Sequence, residues 1–348
     1  MNKKRILVSL AMVAALCLLI YLQVRTWRKF NWHTFWVNSE HVDLLGIAAG
    51  LAITYFVYAL RAVRWRIFLK PASKTVTTRS LLAPQYIGFT ALALLGRPGE
   101  VVRPYIIAKK EHLSFASQMA VWTVERIFDI GAFAIILSVT FFSPDLHALR
   151  FYHGLREAAF VLIFLVVGLI VSCVVIRLAG EPVAEWLHRR FVGFAPGFAH
   201  HLRDKVKEFS AGLETIHDIG SALQLVAVSV VIWGLIAVSY LVIVHAYPGD
   251  LRGLTMPMMI VLMGSSIVGS MLQLPAVGGG SQLATISMLS SGFGIEHELA
   301  VSCGILIWAI TFMSVVPAGL LLARHEQLSI RALAKEEQAE EAMRESAP

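Results

Sequence analysis

Six apolar runs, residues 6–24, 44–60, 122–142, 158–176, 223–244 and 299–322, reach or approach the roughly 20 residues that an α-helix needs to cross the hydrocarbon core of a bilayer. A chain carrying them has one environment able to take up so much apolar surface, which is lipid. Composition agrees, with 57% hydrophobic and 15% charged residues and a mean hydropathy of +0.69, all off the values of soluble domains. The fold class that follows is all-α, a polytopic membrane helical bundle. The formal charge of +7 does not argue for nucleic acid, because the basic residues are scattered between apolar runs as in the cytoplasmic loops of membrane proteins.

Lys3, Lys4 and Arg5 ahead of the first run resemble the start of a signal peptide. The run is long and no small-x-small cleavage site follows it, so it reads as a retained span, and the bulky Leu16 beside Cys17 argues against lipoprotein processing. Cys17, Cys173 and Cys303 all fall inside apolar runs, which indicates neither a disulfide framework nor a metal site. The histidines, the adjacent pair His200-His201 included, show no metal-ligand spacing. No metal and no cofactor is expected.

Two further apolar stretches do not fit a simple crossing. Leu81 to Gly96, bracketed by Arg79 and Arg97, reaches only about 24 Å as a helix. Leu254 to Gly292 is long enough for two crossings but is broken by Leu274-Pro275-Ala276-Val277-Gly278-Gly279-Gly280, a run that does not stay helical. If 81–119 dips in from the cytoplasm and returns, and 254–292 does the same from outside, the cytoplasmic segments hold 23 Lys and Arg against 6 in the outer loops, as the positive-inside rule requires. A full crossing by Leu81 to Gly96 would instead turn the basic loop 177–222 outward. The expected architecture is six full spans plus two broken re-entrant hairpins, with both termini cytoplasmic in a cell inner membrane.

In that threading, span, span, hairpin and span occur twice in opposite orientation, the pattern of an inverted repeat with halves near 1–145 and 155–325 in one transmembrane domain, followed by a polar tail, 326–348. Paired broken segments in two such halves point to a transporter site near the bilayer midplane. Trp27, Trp32 and Trp36 read as an interfacial aromatic belt. The stretch 198–216 reads as an amphipathic helix, and Gly46 and Gly50 as a close helix contact.

Ionisable residues crowd into two places near the first hairpin. Gly96-Arg97-Pro98-Gly99-Glu100-Val101-Val102-Arg103-Pro104 should break a helix, since Pro98 and Pro104 lack backbone donors and Gly99 is conformationally permissive. A helix restarting there presents free amides to an anion, and Arg97 and Arg103 add phosphate contacts. Glu100, three residues before Arg103, lies within reach of an ion pair with it. The alternative is a cytoplasmic turn whose charges meet only water and headgroups. Glu125-Arg126-Ile127-Phe128-Asp129 sets two carboxylates at i and i+4 on one helical face beside an arginine. They partner Arg97 or Arg103 across the bundle, take up a proton in a cycle, or form a structural ion pair. At the second break, Gly278, Gly279 and Gly280 allow close backbone approach, and Ser281 and Gln282 can cap a resuming helix; a flexible apolar loop is the alternative.

These three stretches, with a last span carrying Trp308 and Pro317, resemble the membrane domain of the lysylphosphatidylglycerol synthase family and its stand-alone flippase-like members, over about residues 1–325. The resemblance implies an inner-membrane protein that moves or handles a lipid, with the first motif and the acidic helix near the substrate path. Two departures matter: no soluble aminoacyl-transfer domain follows the last span, so lysyl-lipid synthesis is not expected, and Gln282 stands where relatives often carry an acid. The leading expectation is a non-enzymatic translocator of a lipid or polyprenyl-linked headgroup. Arg97, Glu100 and Arg103 would form the headgroup site, with the two arginines holding its phosphate and Glu100 positioning Arg103, and Glu125, Arg126 and Asp129 would shape or gate the path. Alternatives are a non-transporting scaffold for a lipid-modifying or glycan-assembly enzyme, docking through 177–222, and a membrane-embedded transferase using Glu125 or Asp129 as base. A membrane-enzyme partner or a second copy of the chain would be its protein partner.

Overall fold

The computed structural model describes residues 31–71, 73, 75–140, 142–147, 152–191, 219–272 and 279–325. The expected span 6–24, Trp27, the amphipathic stretch 198–216, Pro275, Gly278 and the tail lie outside the described residues. Among the described residues every regular element is helical. Helix α1, Trp32–Glu40, is capped by the Asn31 side chain, which accepts from the Thr34 amide. Trp32 and Trp36 stay exposed on it, as an interfacial belt requires. Helix α2, Leu44–Leu69, starts at an Asp43 cap. It runs well past the expected end of its apolar run, carrying Arg61 and Arg64 inside the helix rather than in a cytoplasmic loop. Both face inward with Thr54, Tyr58 and Trp65, and a charge with partners does not end a helix.

The first hairpin is α3, Thr78–Leu95, a 3-10 turn over Arg97–Val101, and α4, Val102–Lys110. The break falls where the sequence places it, for a partly different reason. Gly96, with φ of 70°, is the residue that needs left-handed freedom. Gly99 is needed because a Cβ there would collide with the Ala91 backbone, and a Cβ on Gly88 would collide with Arg103. Pro104 is the third residue of α4, where its missing N–H has no intrahelical partner to lose. Helix α5, Phe115–Thr140, returns the chain, and α6, Tyr152–Phe191, packs on it.

The same order then recurs. Helix α7 is Ile219–His245. The second hairpin is α8, Met256–Gly269, extended by a 3-10 turn Ser270–Leu272, and α9, Gly279–Ser287. Helix α9 ends in a π turn, Met288–Gly292. Helix α10, His297–Trp308, passes through a second π turn, Ala309–Met313, and continues to His325. Helix α9 begins at Gly279 with φ of 59°, and Gly269, where a Cβ would collide with the Gly280 carbonyl, lets the two arms touch backbone to backbone. Gln282 falls in the first turn of α9.

Leu44–Leu69, Gly220–His245 and His297–His325 are long and apolar enough to cross a membrane. Helix α5 has the length, and the charges in its middle, Glu125 and Asp129, are buried in the bundle. Leu44, Leu45, Phe56, Val139, Phe164 and Leu321 are exposed, an outer surface suited to acyl chains.

Among the described helices, α2 and α7 form the most extensive contact. A Cβ on Gly46 would lie 2.8 Å from Ala246 Cβ, and one on Gly50 would lie 2.6 Å from Ile243 Cγ1. Small residues let helix backbones approach in this way. Ile243 is fully buried and has nowhere to move. Gly50→Leu is expected to cost about 1–3 kcal/mol or more, read as loss of the monodisperse peak in size-exclusion chromatography after membrane extraction. An unchanged peak and melting temperature would contradict this packing.

Candidate functional site

The interior between α2, α4, α5 and α7 is organised by Arg64, a residue that loop-charge counting puts in a cytoplasmic segment. Its side chain is fully buried and bridges both carboxylates of α5, with Nη2 donating to Glu125 at 2.7 Å and Nη1 to Asp129 at 2.7 Å. Nη1 also reaches Ser229 Oγ on α7 at 3.0 Å. Helical spacing makes this possible, since Glu125 and Asp129 lie one turn apart and so present two acceptors to one planar guanidinium.

Arg103 comes to the same place from α4. It pairs with Glu125 through Nη2, donates to Gln85 Oε1 at 2.9 Å, and lies over the Trp65 ring at 4.4 Å. Trp65 is in turn held by its indole N–H donating to Gln118 at 3.2 Å. The expected partnership of the α5 carboxylates with Arg103 is thus present for Glu125. Arg126 contacts Glu125 at 3.3 Å and Asp129 at 3.4 Å and is half-buried. Trp233 on α7 donates to Asp129 at 3.1 Å.

Arg97 stands apart, paired with Glu100 at 2.9 Å. The expected pairing of Glu100 with Arg103 is therefore replaced by one with Arg97. The reason is the 3-10 turn, in which side chains three apart eclipse, stacking Arg97 over Glu100 while Arg103 turns inward on α4. Arg97 also donates to the Ser270 carbonyl at 3.3 Å, so the tip of the first hairpin touches the end of α8, the first arm of the second.

Arg61 completes the cluster and differs from the rest. Its nearest ionic contact is Asp129 at 3.7 Å, it stacks over Phe89 at 5.0 Å, and it makes no hydrogen bond among the described residues. Four guanidiniums, Arg61, Arg64, Arg103 and Arg126, thus share two carboxylates. The cluster carries two excess positive charges, and adding the Arg97–Glu100 pair does not change that balance.

Arg61 also opens onto a cavity of about 200 Å³ between the two hairpins and the long helices, and it is the charged residue in that cavity's wall. Tyr58, Phe89, Trp233, Trp308 and Phe312 supply aromatic lining, and Thr54, Ser239, Thr285 and Thr311 supply hydroxyls. The π turn of α10 places Thr311 and Phe312 there, and Tyr58 donates to the Thr311 carbonyl at 3.2 Å. Such turns recur at functional sites. The buried indole N–H of Trp308, another residue of the wall, has no hydrogen-bond partner among the described residues.

These features define a polytopic helical membrane protein with a buried, positively biased cluster beside an interior cavity. Residues 6–319 match the family described as the lysylphosphatidylglycerol synthase TM region, and the chain belongs to that family. No curated protein and no solved structure matches it.

Proposed function

We propose that the protein translocates a membrane lipid, or a polyprenyl-linked headgroup, by taking its anionic group into the cavity between the hairpins. Family membership supports a lipid-related role. The observation that carries the reading is Arg61, a buried cation without a hydrogen bond among the described residues, facing a cavity beside a cluster with excess positive charge. Uncompensated charge at membrane depth is costly, and an anionic headgroup entering the cavity offsets that cost. Arg103, engaged by Glu125 and Gln85, holds the cluster together, and Arg61 takes the phosphate. The contact of Arg97 with Ser270 is the point at which the hairpin tips part to admit the lipid.

Vesicles containing the purified protein and a trace of fluorescent phosphatidylglycerol test this. The protein should render the inner-leaflet label accessible to an impermeant quencher many times faster than in protein-free vesicles. Equal rates would count against translocation.

Helix α6 favours a second reading. Its 40 residues span about 60 Å, roughly twice the hydrocarbon thickness, and the excess length suits a docking surface for a lipid-modifying or glycan-assembly enzyme. Stoichiometric copurification with such an enzyme, together with no flipping activity, would select it.

A further inference from the structure

We infer that the cavity selects a phosphate-linked headgroup rich in hydroxyls, a polyol or a sugar, and disfavours one bearing an amine. This rests on the headgroup reading of the same site. The donors and acceptors of the wall make the distinction. Thr54 and Ser239 both donate to the Gly50 carbonyl, at 2.9 and 3.1 Å. Thr285 donates to Ser281 at 2.9 Å and Thr311 to Ile307 at 2.7 Å. Each hydroxyl has one proton and two lone pairs, so these four have spent their protons on main chain and offer acceptors, while Ser266 and Ser281, bonded to each other at 2.6 Å with Tyr240 donating to Ser266, keep one proton between them.

Acceptors outnumber free neutral donors in this wall, so the best-matched ligand brings donors of its own. Two chemistries do so, hydroxyls and ammonium groups. The wall separates them by charge, because its charged residue is Arg61 and it contains no carboxylate. The nearest acids, Glu125 and Asp129, are already shared among four guanidiniums. An ammonium would sit in a low-dielectric space beside an excess of positive charge, where repulsion is strong. Hydroxyls carry no such penalty. Aromatic walls at Phe89, Trp233 and Trp308 give the apolar faces of a ring something to lie against. Phosphate at Arg61 and a polyol against the hydroxyls engage both kinds of polar group in the wall.

The test is binding by the purified full-length chain in detergent, measured by native mass spectrometry with short-chain phosphatidylinositol, phosphatidic acid and lysylphosphatidylglycerol. Phosphatidylinositol is expected to bind at least tenfold tighter than either of the others, about what one or two net hydrogen bonds supply. The double variant Thr285→Val/Thr311→Val should bring phosphatidylinositol to within about threefold of phosphatidic acid and leave phosphatidic acid affinity unchanged. If its melting temperature falls, Thr285→Val alone serves and should lose part of the preference. Lysylphosphatidylglycerol or phosphatidic acid binding as tightly as phosphatidylinositol, or a preference that survives both variants, overturns the inference. A separate arm tests the reading beneath it. If wild-type protein does not bind phosphatidic acid, or if Arg61→Gln binds it as well as wild type, the headgroup site itself is wrong.

Discussion

Arg61→Gln is expected to slow transbilayer movement of an anionic lipid by tenfold or more while leaving the protein folded. The magnitude follows from a charge-assisted contact worth about 1.5–3 kcal/mol, where 1.4 kcal/mol is a factor of ten. The second half of the expectation is the more telling. Asp129 keeps Arg64 at 2.7 Å, Arg126 at 3.4 Å and the Trp233 indole at 3.1 Å, so it is not orphaned when Arg61 goes. The cluster also loses one of its two surplus charges, which relieves repulsion against Arg64, Arg103 and Arg126. The melting temperature should stay within about 3 °C of wild type or rise, measured by the intrinsic fluorescence of the purified protein. A variant that transports normally, or one that fails to fold, would contradict this assignment.

Glu125→Gln should do the opposite and remove the fold. Glu125 is fully buried and is the shared partner of Arg64 and Arg103, so neutralising it leaves two buried guanidiniums short of an acceptor and raises the excess charge from two to three. Breaking a buried pair in this way costs about 3–5 kcal/mol, which lowers the melting temperature by about 10 °C or keeps folded protein from accumulating. The double variant Arg103→Gln/Glu125→Gln restores the charge balance of the wild type. It should be more stable than Glu125→Gln alone, a coupling that only residues in one network show. If the two single losses simply added, the shared ion pair would not be holding α4 to α5.

The features that were legible in the sequence are those set by local chemistry. Apolar length marked α2, α7 and α10. Glycine and proline marked the hairpin breaks after Leu95 and before Gly279, and spacing put Glu125 and Asp129 on one face. Arg61 and Arg64 were missed because each follows the apolar run that begins at Leu44, and counting loop charges assigns such residues to the cytoplasm. A signal was present: Gly50, Thr54, Tyr58, Arg61 and Trp65 recur at intervals of three and four, one face of a helix, and that face is the one that packs inward. The partner of Glu100 was misread because the local geometry is 3-10 rather than α. The roles of Gln85, Ser229 and Trp233 come from elements far apart in the chain, and no local pattern announces them. Gly99 was identified for its conformational freedom, whereas its neighbour across the hairpin, Ala91, is the reason it is glycine.

The central claim is that Arg61, at the edge of a cavity between two broken hairpins, holds the phosphate of a lipid headgroup. The most direct measurement is the lipid that remains with the protein through purification, quantified as phosphorus per chain and identified by mass spectrometry, for wild type and Arg61→Gln side by side. The account predicts about one tightly held phosphate-bearing lipid per wild-type chain and its loss from Arg61→Gln at equal folded yield. Equal retention by both proteins, or a retained lipid without phosphate, would contradict it.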